Sequence, residues 1–541
     1  LILSFILFLI NVRAQSWEWA TGIPGTNVTT GDEGISAATD QQGSIFVTGY
    51  FSSPTITFGT YTLTNQGFTD IYIAKYDANG NVLWAKGIGG TDYEQGLSVT
   101  TDKNGDVYLT GFFSSAALVF STYTLTTTAP ASGYLAKYNS SGALQWVKKI
   151  GGAGYDFSQS VTSDEANNVY LTGRMSSSSM TIGTYTLINS GGANIFIAKF
   201  DSNGNVKWAT RAGGTSTDLS YSIANKNNVL YITGNSDSPQ LIFQQDTVIN
   251  NNGNPVCFIA KYDTSGNSIW AKAMAGTSTG NCVSADSLNN VIITGDFNST
   301  YLILGTDTLY NDGPSGTNDI FIAKYNSTGN VSWAKSMGGS ANWDIGWSVA
   351  TDKSSNIYFM AGFTSPSIIL NSDTIYSPNG APDPMFLVKY DPLGNILCYS
   401  TLASGGDDIS GLATDNFGNV FFCGDYEYVN PFVVGNYTLT PGAQNAESIL
   451  VAKFNCDLTG IPELSNQLSV KVYPNPANDI LNLEYPVCDC TVKITDVLSN
   501  TITEEQISNK ISINSLPNGI YFLAISDKTG QQSIKRIIVN H

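Results

Sequence analysis

Acidic residues that recur at one phase of a repeat are the first candidates for chemistry in this chain. Asp32, Glu94, Asp156, Asp218, Asp344 and Asp407 each stand four residues before the Ser, or its equivalent, of a short strand-like segment; Ser278 breaks the series. Six carboxylates gathered round one opening would favour a cation or a polyhydroxyl ligand. Two of them in unequal environments, at about 5–5.5 or 6.5–9.5 Å, would suit glycoside chemistry. The competing use is architectural: each acid caps a backbone turn within its own repeat, and regular recurrence speaks for that use. Aromatic residues nearby do not recur in the same way. Trp343 and Trp347 flank Asp344, and Tyr93, Tyr155, Phe157 and Tyr221 lie in corresponding loops. Exposed rings beside acids make platforms for sugars, whereas buried ones simply pack. The six acids with Trp343, Trp347, Tyr93 and Tyr155 are the ligand-binding candidates, and no residue is assigned to catalysis.

Other chemistries are excluded by what is missing. The one histidine is His541, so a Ser-His-Asp site, a histidine zinc site and a histidine general base are all out of reach. Lys plus Arg is 25 against 43 Asp plus Glu, a net charge of −18. Such a surface repels nucleic acid and anionic lipid, and no basic run offsets it. No cofactor is implied; calcium stays open without a specific motif to support it, since the ligand spacing of an EF-hand loop is absent. The seven cysteines are scattered and odd in number. They form no disulfide framework, Cys488-Asp-Cys490 is too isolated for a metal site, and most read as small buried apolar residues.

The elements that position the acids are repeats. Ile73-Ala74-Lys75-Tyr76 returns at 135–138, 197–200, 259–262, 322–325, 387–390 and 451–454. A tryptophan follows at Trp84, Trp146, Trp208, Trp270 and Trp333, with Cys398 in the sixth place, at intervals of 62 to 65 residues. An apolar-x-Thr-Gly signature falls at Gly49, Gly111, Gly173, Gly234 and Gly295, altered at Gly362 and Gly424. Period-2 alternation predicts four strands per unit. In the second unit they are 97–101, 106–113, 133–138 and 143–148. Four antiparallel strands at this period predict a propeller blade, with the tryptophan packed between neighbours. Asp/Asn-x-x-Gly turns, such as Asp77–Gly80 and Asp201–Gly204, crowd one face and read as structural. The strand lysines, Lys75 to Lys453, are expected to pair with turn carboxylates. On the other face about ten residues, such as Thr55–Leu63, form a small hairpin in each unit. Trp19 stands 65 residues before Trp84, while the last unit lacks a fourth strand. The N-terminal strand is therefore expected to complete blade seven.

These motifs, D-x-x-G-N-V-Y-x-T-G followed by I-A-K-Y-D-x-x-G-N-x-x-W, resemble the SBBP-type β-propeller repeat of secreted bacterial proteins, over residues 16 to about 456. The resemblance implies a fold and no single activity. From Val470-Lys-Val-Tyr-Pro-Asn-Pro476 a second pattern runs through 479–483, 492–496, 511–516, 517–522 and 533–538. It predicts a small Ig-like β-sandwich. Its Tyr-Pro-Asn-Pro opening, Leu-x-x-Gly-x-Tyr strand and Lys-containing last strand resemble the C-terminal sorting domain of the type IX secretion system of Bacteroidetes. That implies recognition by the secretion machinery through residues 468–541, and release or surface attachment of the cargo. Residues 1–14, an apolar run ending Val12-Arg13-Ala14, read as an incomplete signal peptide, too short to span a bilayer. No later segment reads as transmembrane.

The expected chain is thus all-β: a leader at 1–14, a seven-bladed propeller at 15–456, a linker at 457–467 and a sandwich at 468–541. The leading functional expectation is a secreted or surface-attached non-catalytic protein that binds an extracellular glycan or protein. A carboxylate-based glycosidase or lyase at the channel mouth, and a purely structural surface component, are the alternatives.

Overall fold

The computed structural model describes residues 16–456 and 471–540, apart from 28–29, 251–252, 315, 341–342, 371–372, 377–382, 403–410, 427–431, 441, 444–445, 474–476, 485–490, 496–500, 507–509 and 527–531. The leader at 1–14, the linker at 457–467, Asp407, Cys488, Cys490 and His541 lie outside the described residues. Every regular element among them is a β-strand, and none is a helix long and apolar enough to cross a membrane. The chain divides into two compact units, Ser16–Asn455 and one that contains Cys456–His541.

Seven four-stranded antiparallel sheets make up Ser16–Asn455. The second blade is Glu94–Thr101, Val107–Phe113, Ser132–Tyr138 and Leu144–Ile150, from the inner strand outward. Its inner strand begins three residues earlier than alternation predicted. A bulge after Gly96 interrupts the period of two, so the acid that seemed to precede the strand is its first residue. The second and third strands of the first blade, Ile45–Phe51 and Asp70–Tyr76, are buried at every position. Neighbouring blades cover both of their faces, which is why they read as near-continuous apolar runs.

Ser16–Ile23 pairs antiparallel with Ser448–Asn455, Trp19 opposite Lys453, and so supplies the outer strand of the seventh sheet. A chain of hydroxyls runs along the inner strands through that seam. Thr101 donates to the carbonyl of Thr39 at 2.7 Å, Thr39 to Thr414 at 2.8 Å, and Thr414 to Thr351 at 2.9 Å.

The recurring tryptophans explain the turn glycines. Trp84 Nε1 donates to the Ser140 carbonyl of the next blade at 3.3 Å, and Trp146 does the same to Ser202 at 3.1 Å. Gly142 has a φ of +81°, and a Cβ there would lie 2.9 Å from the Trp84 ring. Glycine is thus required twice over, by backbone and by neighbour. The strand lysines bind the same joint. Lys137 lies 2.9 Å from Asp106 and 3.7 Å from Asp102 of its own blade, and donates to Ser202 of the next at 3.2 Å.

Each blade also carries a two-stranded hairpin, Thr55–Phe58 with Tyr61–Thr64 in the first. Phe58 is buried under it, and the Tyr61 hydroxyl donates to the carbonyl of Leu83. One reading from sequence needs correction. Cys257, Cys282 and Cys423 are free, but Cys398 and Cys456 are disulfide-bonded. Cys398 occupies the tryptophan place, and in other blades that side chain reaches the end of the next blade's third strand, where Cys456 stands in blade seven.

In the tail, Lys471–Tyr473, Ile480–Glu484 and Lys510–Ser512 form one sheet. Thr491–Thr495, Thr501–Gln506, Gly519–Ser526 and Gln532–Val539 form a second. Leu481, Leu483 and Ile511 of the first share a core with Val492, Ile494, Leu523 and Ile537 of the second.

Candidate functional site at the channel mouth

Six inner strands carry a bulge at the same place, between Gly34 and Ser36, Gly96 and Ser98, Ser158 and Ser160, Ser220 and Ser222, Gly280 and Cys282, and Gly346 and Ser348. A bulge leaves one residue unpaired and re-aims its side chain. Those residues are Ile35, Leu97, Gln159, Tyr221, Asn281 and Trp347. Ile35 and Leu97 are both aliphatic, the other four differ in kind from them, and all six line one cavity of about 570 Å³ together with Glu33 and Thr279. Close packing on the preceding blade favours glycine just before the bulge: a Cβ on Gly96 would lie 2.4 Å from Thr48 Oγ1, and one on Gly346 2.3 Å from Thr294 Oγ1, although Ser158 and Ser220 hold the same place in two blades.

The residue after each Thr-Gly signature adds a second, equally varied layer. Tyr50 donates its hydroxyl to Glu33. Phe112 stacks on Phe157 at 4.1 Å, and the Arg174 guanidinium lies 3.9 Å above Phe157. Asp296 accepts from Asn281 at 3.3 Å and from Asn318 at 2.7 Å, and burial pushes its carboxyl up to about 6. The buried Nε of Arg174 has no acceptor, and burial lowers the guanidinium from its ordinary value. The amides of Gln159 and Asn281, the rings of Tyr221 and Trp347 and the Glu33 carboxyl around one concave opening can hold a polar, ring-bearing ligand.

The recurring acids sit elsewhere. Asp32, Glu94, Asp156, Asp218 and Asp344 have no exposed surface. Each is held by a serine about twenty residues on: Ser53 Oγ donates to Asp32 at 2.6 Å, Ser115 to Glu94 at 2.5 Å, Ser238 to Asp218 at 2.8 Å and Ser365 to Asp344 at 2.7 Å; Ser177 serves Asp156. Those serines accept in turn from the loop that enters the blade, Ser115 from Thr91 N at 2.6 Å and Ser177 from Gly154 N at 2.7 Å. Burial raises the carboxyls of Asp32, Glu94, Asp218 and Asp344, against the hydrogen bonds that lower them. With no surface toward the opening, these five acids anchor loops and do not present a charged ring to solvent. Ser278, which breaks the series, instead donates to the Gly276 carbonyl.

The aromatic candidates separate into two levels. Tyr93, Tyr155 and Trp343 sit one residue before an acid and are exposed by 42, 54 and 63%. Phe68 stacks on Tyr93 at 5.0 Å. Trp347 and Tyr221 belong to the deeper bulge level, so Tyr221 and Phe157 are not in the register of Tyr93 and Tyr155. Sequence reasoning missed Glu33, Gln159, Asn281, Arg174 and Asp296. For Arg174 and Asp296 a signal was present, as the variable residue after Thr-Gly; Gln159 and Asn281 fill the bulge position in strands that depart from Gly-x-Ser, and Glu33 lies outside both motifs.

A second cavity of about 450 Å³ is lined by the other ends of the inner strands, including Asp102, Lys103, Asp164, Glu165 and Lys226. Asp102 and Asp164 are engaged in the lysine joints, Asp102 with Lys137 at 3.7 Å and Asp164 with Lys199 at 4.0 Å, while Glu165 makes an exposed pair with Lys103 at 3.5 Å. Among the described residues no group of three or more His, Cys, Asp or Glu is arranged to hold a metal.

Comparison with known proteins identifies both parts of the chain. Residues 145–174 match the family described as Beta-propeller repeat, SBBP, and residues 471–540 match the Secretion system C-terminal sorting domain. The chain is therefore a β-propeller protein that carries a type IX sorting domain, exported to the cell surface or beyond. An uncharacterised WD repeat-containing protein of Acanthamoeba polyphaga mimivirus is 26% identical over 504 residues, 75% of this chain and 36% of its own length. The chain thus spans about a third of that relative. Among solved structures, an ulvan lyase of a polysaccharide lyase family aligns over 76% of this chain and 93% of its own, with 10% identity and a TM-score of 0.37. PorZ of Porphyromonas gingivalis, a surface component of the type IX secretion system, aligns over 96% and 100%, with 9% identity and a TM-score of 0.17.

Proposed function

We propose that the protein is a non-catalytic binding protein of the cell exterior, and that its propeller captures a glycan or a polar segment of a protein at the bulge-lined mouth. The observation that carries this reading is the contrast within each inner strand. The acid and the serines that hold the loops are nearly constant from blade to blade, whereas the re-aimed side chains Gln159, Tyr221, Asn281 and Trp347 are not. A merely structural position would be expected to repeat, because its neighbours repeat. Tyr221 and Trp347 offer ring faces, Asn281 and Gln159 offer donors and acceptors, and the rim aromatics Tyr93, Tyr155 and Trp343 extend the surface outward. The sorting domain supports a role outside the cell, with the secretion machinery as its partner.

A glycan array probed with the whole protein, with and without calcium, tests the reading. Trp347→Ala is expected to weaken any captured glycan at least tenfold, about 1.4 kcal/mol. Uniform silence on the array, with no protein captured through the mouth in a Trp347-dependent way, sinks it. Asp296 is the residue on which an enzymatic alternative turns, since a carboxyl pushed up to about 6 suits a general acid. Turnover of a bound oligosaccharide that Asp296→Asn abolishes would replace binding with catalysis.

A further inference from the structure

The first residue of a blade's third strand lies beside the buried residue that opens the next blade, and the six seams among the described residues are not alike. At three of them this residue is neutral. Ser448 accompanies Asp32, Ser132 accompanies Asp156, and Asn194 donates Nδ2 to Asp218 at 3.4 Å. At a fourth both are neutral, Val256 and Ser278. At two seams, however, the partner is a second acid: Asp70 beside Glu94, and Asp319 beside Asp344. All four side chains are fully buried. The acids of each pair lie close enough to repel one another, Glu94 raising Asp70 and Asp344 raising Asp319. Asp70 Oδ1, Glu94 Oε2 and Asp319 Oδ1 have no hydrogen-bond partner.

Among the described residues no basic side chain is paired with these acids. The other charges close to them are acidic as well, Asp92 beside Glu94 and Asp312 beside Asp319. Two buried like charges close to one another are costly, and each disfavours ionisation of the other. Burial, with Glu94 in one case and Asp312 and Asp344 in the other, pushes Asp70 and Asp319 each up to about 7.

We propose that each of these two seams binds a bridging cation, a proton or a metal ion, between its facing carboxyls. A shared proton makes one carboxyl an O–H donor and leaves the other a carboxylate acceptor, so that Asp70 Oδ1 and Glu94 Oε2 gain a partner together and the pair keeps one negative charge. A metal ion would use the same oxygens and complete its shell with backbone carbonyls and water.

Thermal unfolding of the whole protein, from mildly acidic to mildly alkaline pH, in EDTA and in millimolar calcium, tests the proposal and separates the two sources. The variants are Asp70→Ser and Asp319→Ser, singly and together, since serine already stands at this place in blades two and seven. A folded-state value raised above the unfolded one means stability that is full at low pH and lost as pH climbs through about 7. For a proton, the wild-type melting temperature in EDTA falls over that range and the double variant loses much of the fall. For a metal ion, calcium raises the melting temperature of the wild type at alkaline pH and leaves the double variant unmoved. The same pH and calcium dependence in wild type and double variant overturns the proposal.

Discussion

The two ends of the inner strands follow opposite rules. At the turn face most blades repeat the same joint: a tryptophan over the next blade's glycine, as Trp84 over Gly142, and a lysine between an aspartate of its own blade and a carbonyl of the next, as Lys137. At the mouth, equivalent positions hold Ile35, Leu97, Gln159, Tyr221, Asn281 and Trp347, with Tyr50, Phe112, Arg174 and Asp296 in the layer behind them. Repetition marks side chains whose partner is another repeat, because a change in one must be answered in the next. Variation marks positions freed from that demand, and these are available for something outside the chain.

Substitutions at the two ends should therefore differ in kind. Trp84→Ala removes a buried ring from the seam between blades one and two, and is expected to cost ~3–5 kcal/mol in denaturant unfolding. Asp156→Ala is next. It strips acceptors from Ser176 N, Ser177 N and Gly152 N, at a cost of ~2–3 kcal/mol and with faster proteolysis of the loop at 151–155. Trp347→Ala should change stability by less than ~1.5 kcal/mol while it removes ligand binding; a loss as large as that of Trp84→Ala would erase the distinction between the two ends. The smallest effect is expected for Tyr61→Phe, which deletes an exposed hydrogen bond to Leu83 and costs ~0.5–1 kcal/mol.

Much of the frame was legible because its causes are local or periodic. The tryptophan, lysine and glycine series report contacts that every blade must make, and the strand alternation reports which faces neighbours cover. The mouth was legible only in part. Trp347 drew attention as a rare aromatic beside an acid. Asn281 and Arg174 did not, because their residue types are common on surfaces and their roles depend on a bulge whose register no single strand announces.

The amino-acid order alone determined the repeat, its strands, the hairpin on each blade and the sorting domain, since each rests on spacing and on side-chain chemistry carried within a short stretch. It also contained both uses of the recurring acids without choosing between them. Tertiary structure made that choice: Ser53, Ser115 and their equivalents close over the carboxylates from about twenty residues away, and burial turns an expected ring of charge into a set of loop anchors. Where two such acids meet across a seam, and which side chains a bulge turns into the channel, are likewise settled by the approach of separate blades, a property of distance through space that position along the chain does not encode.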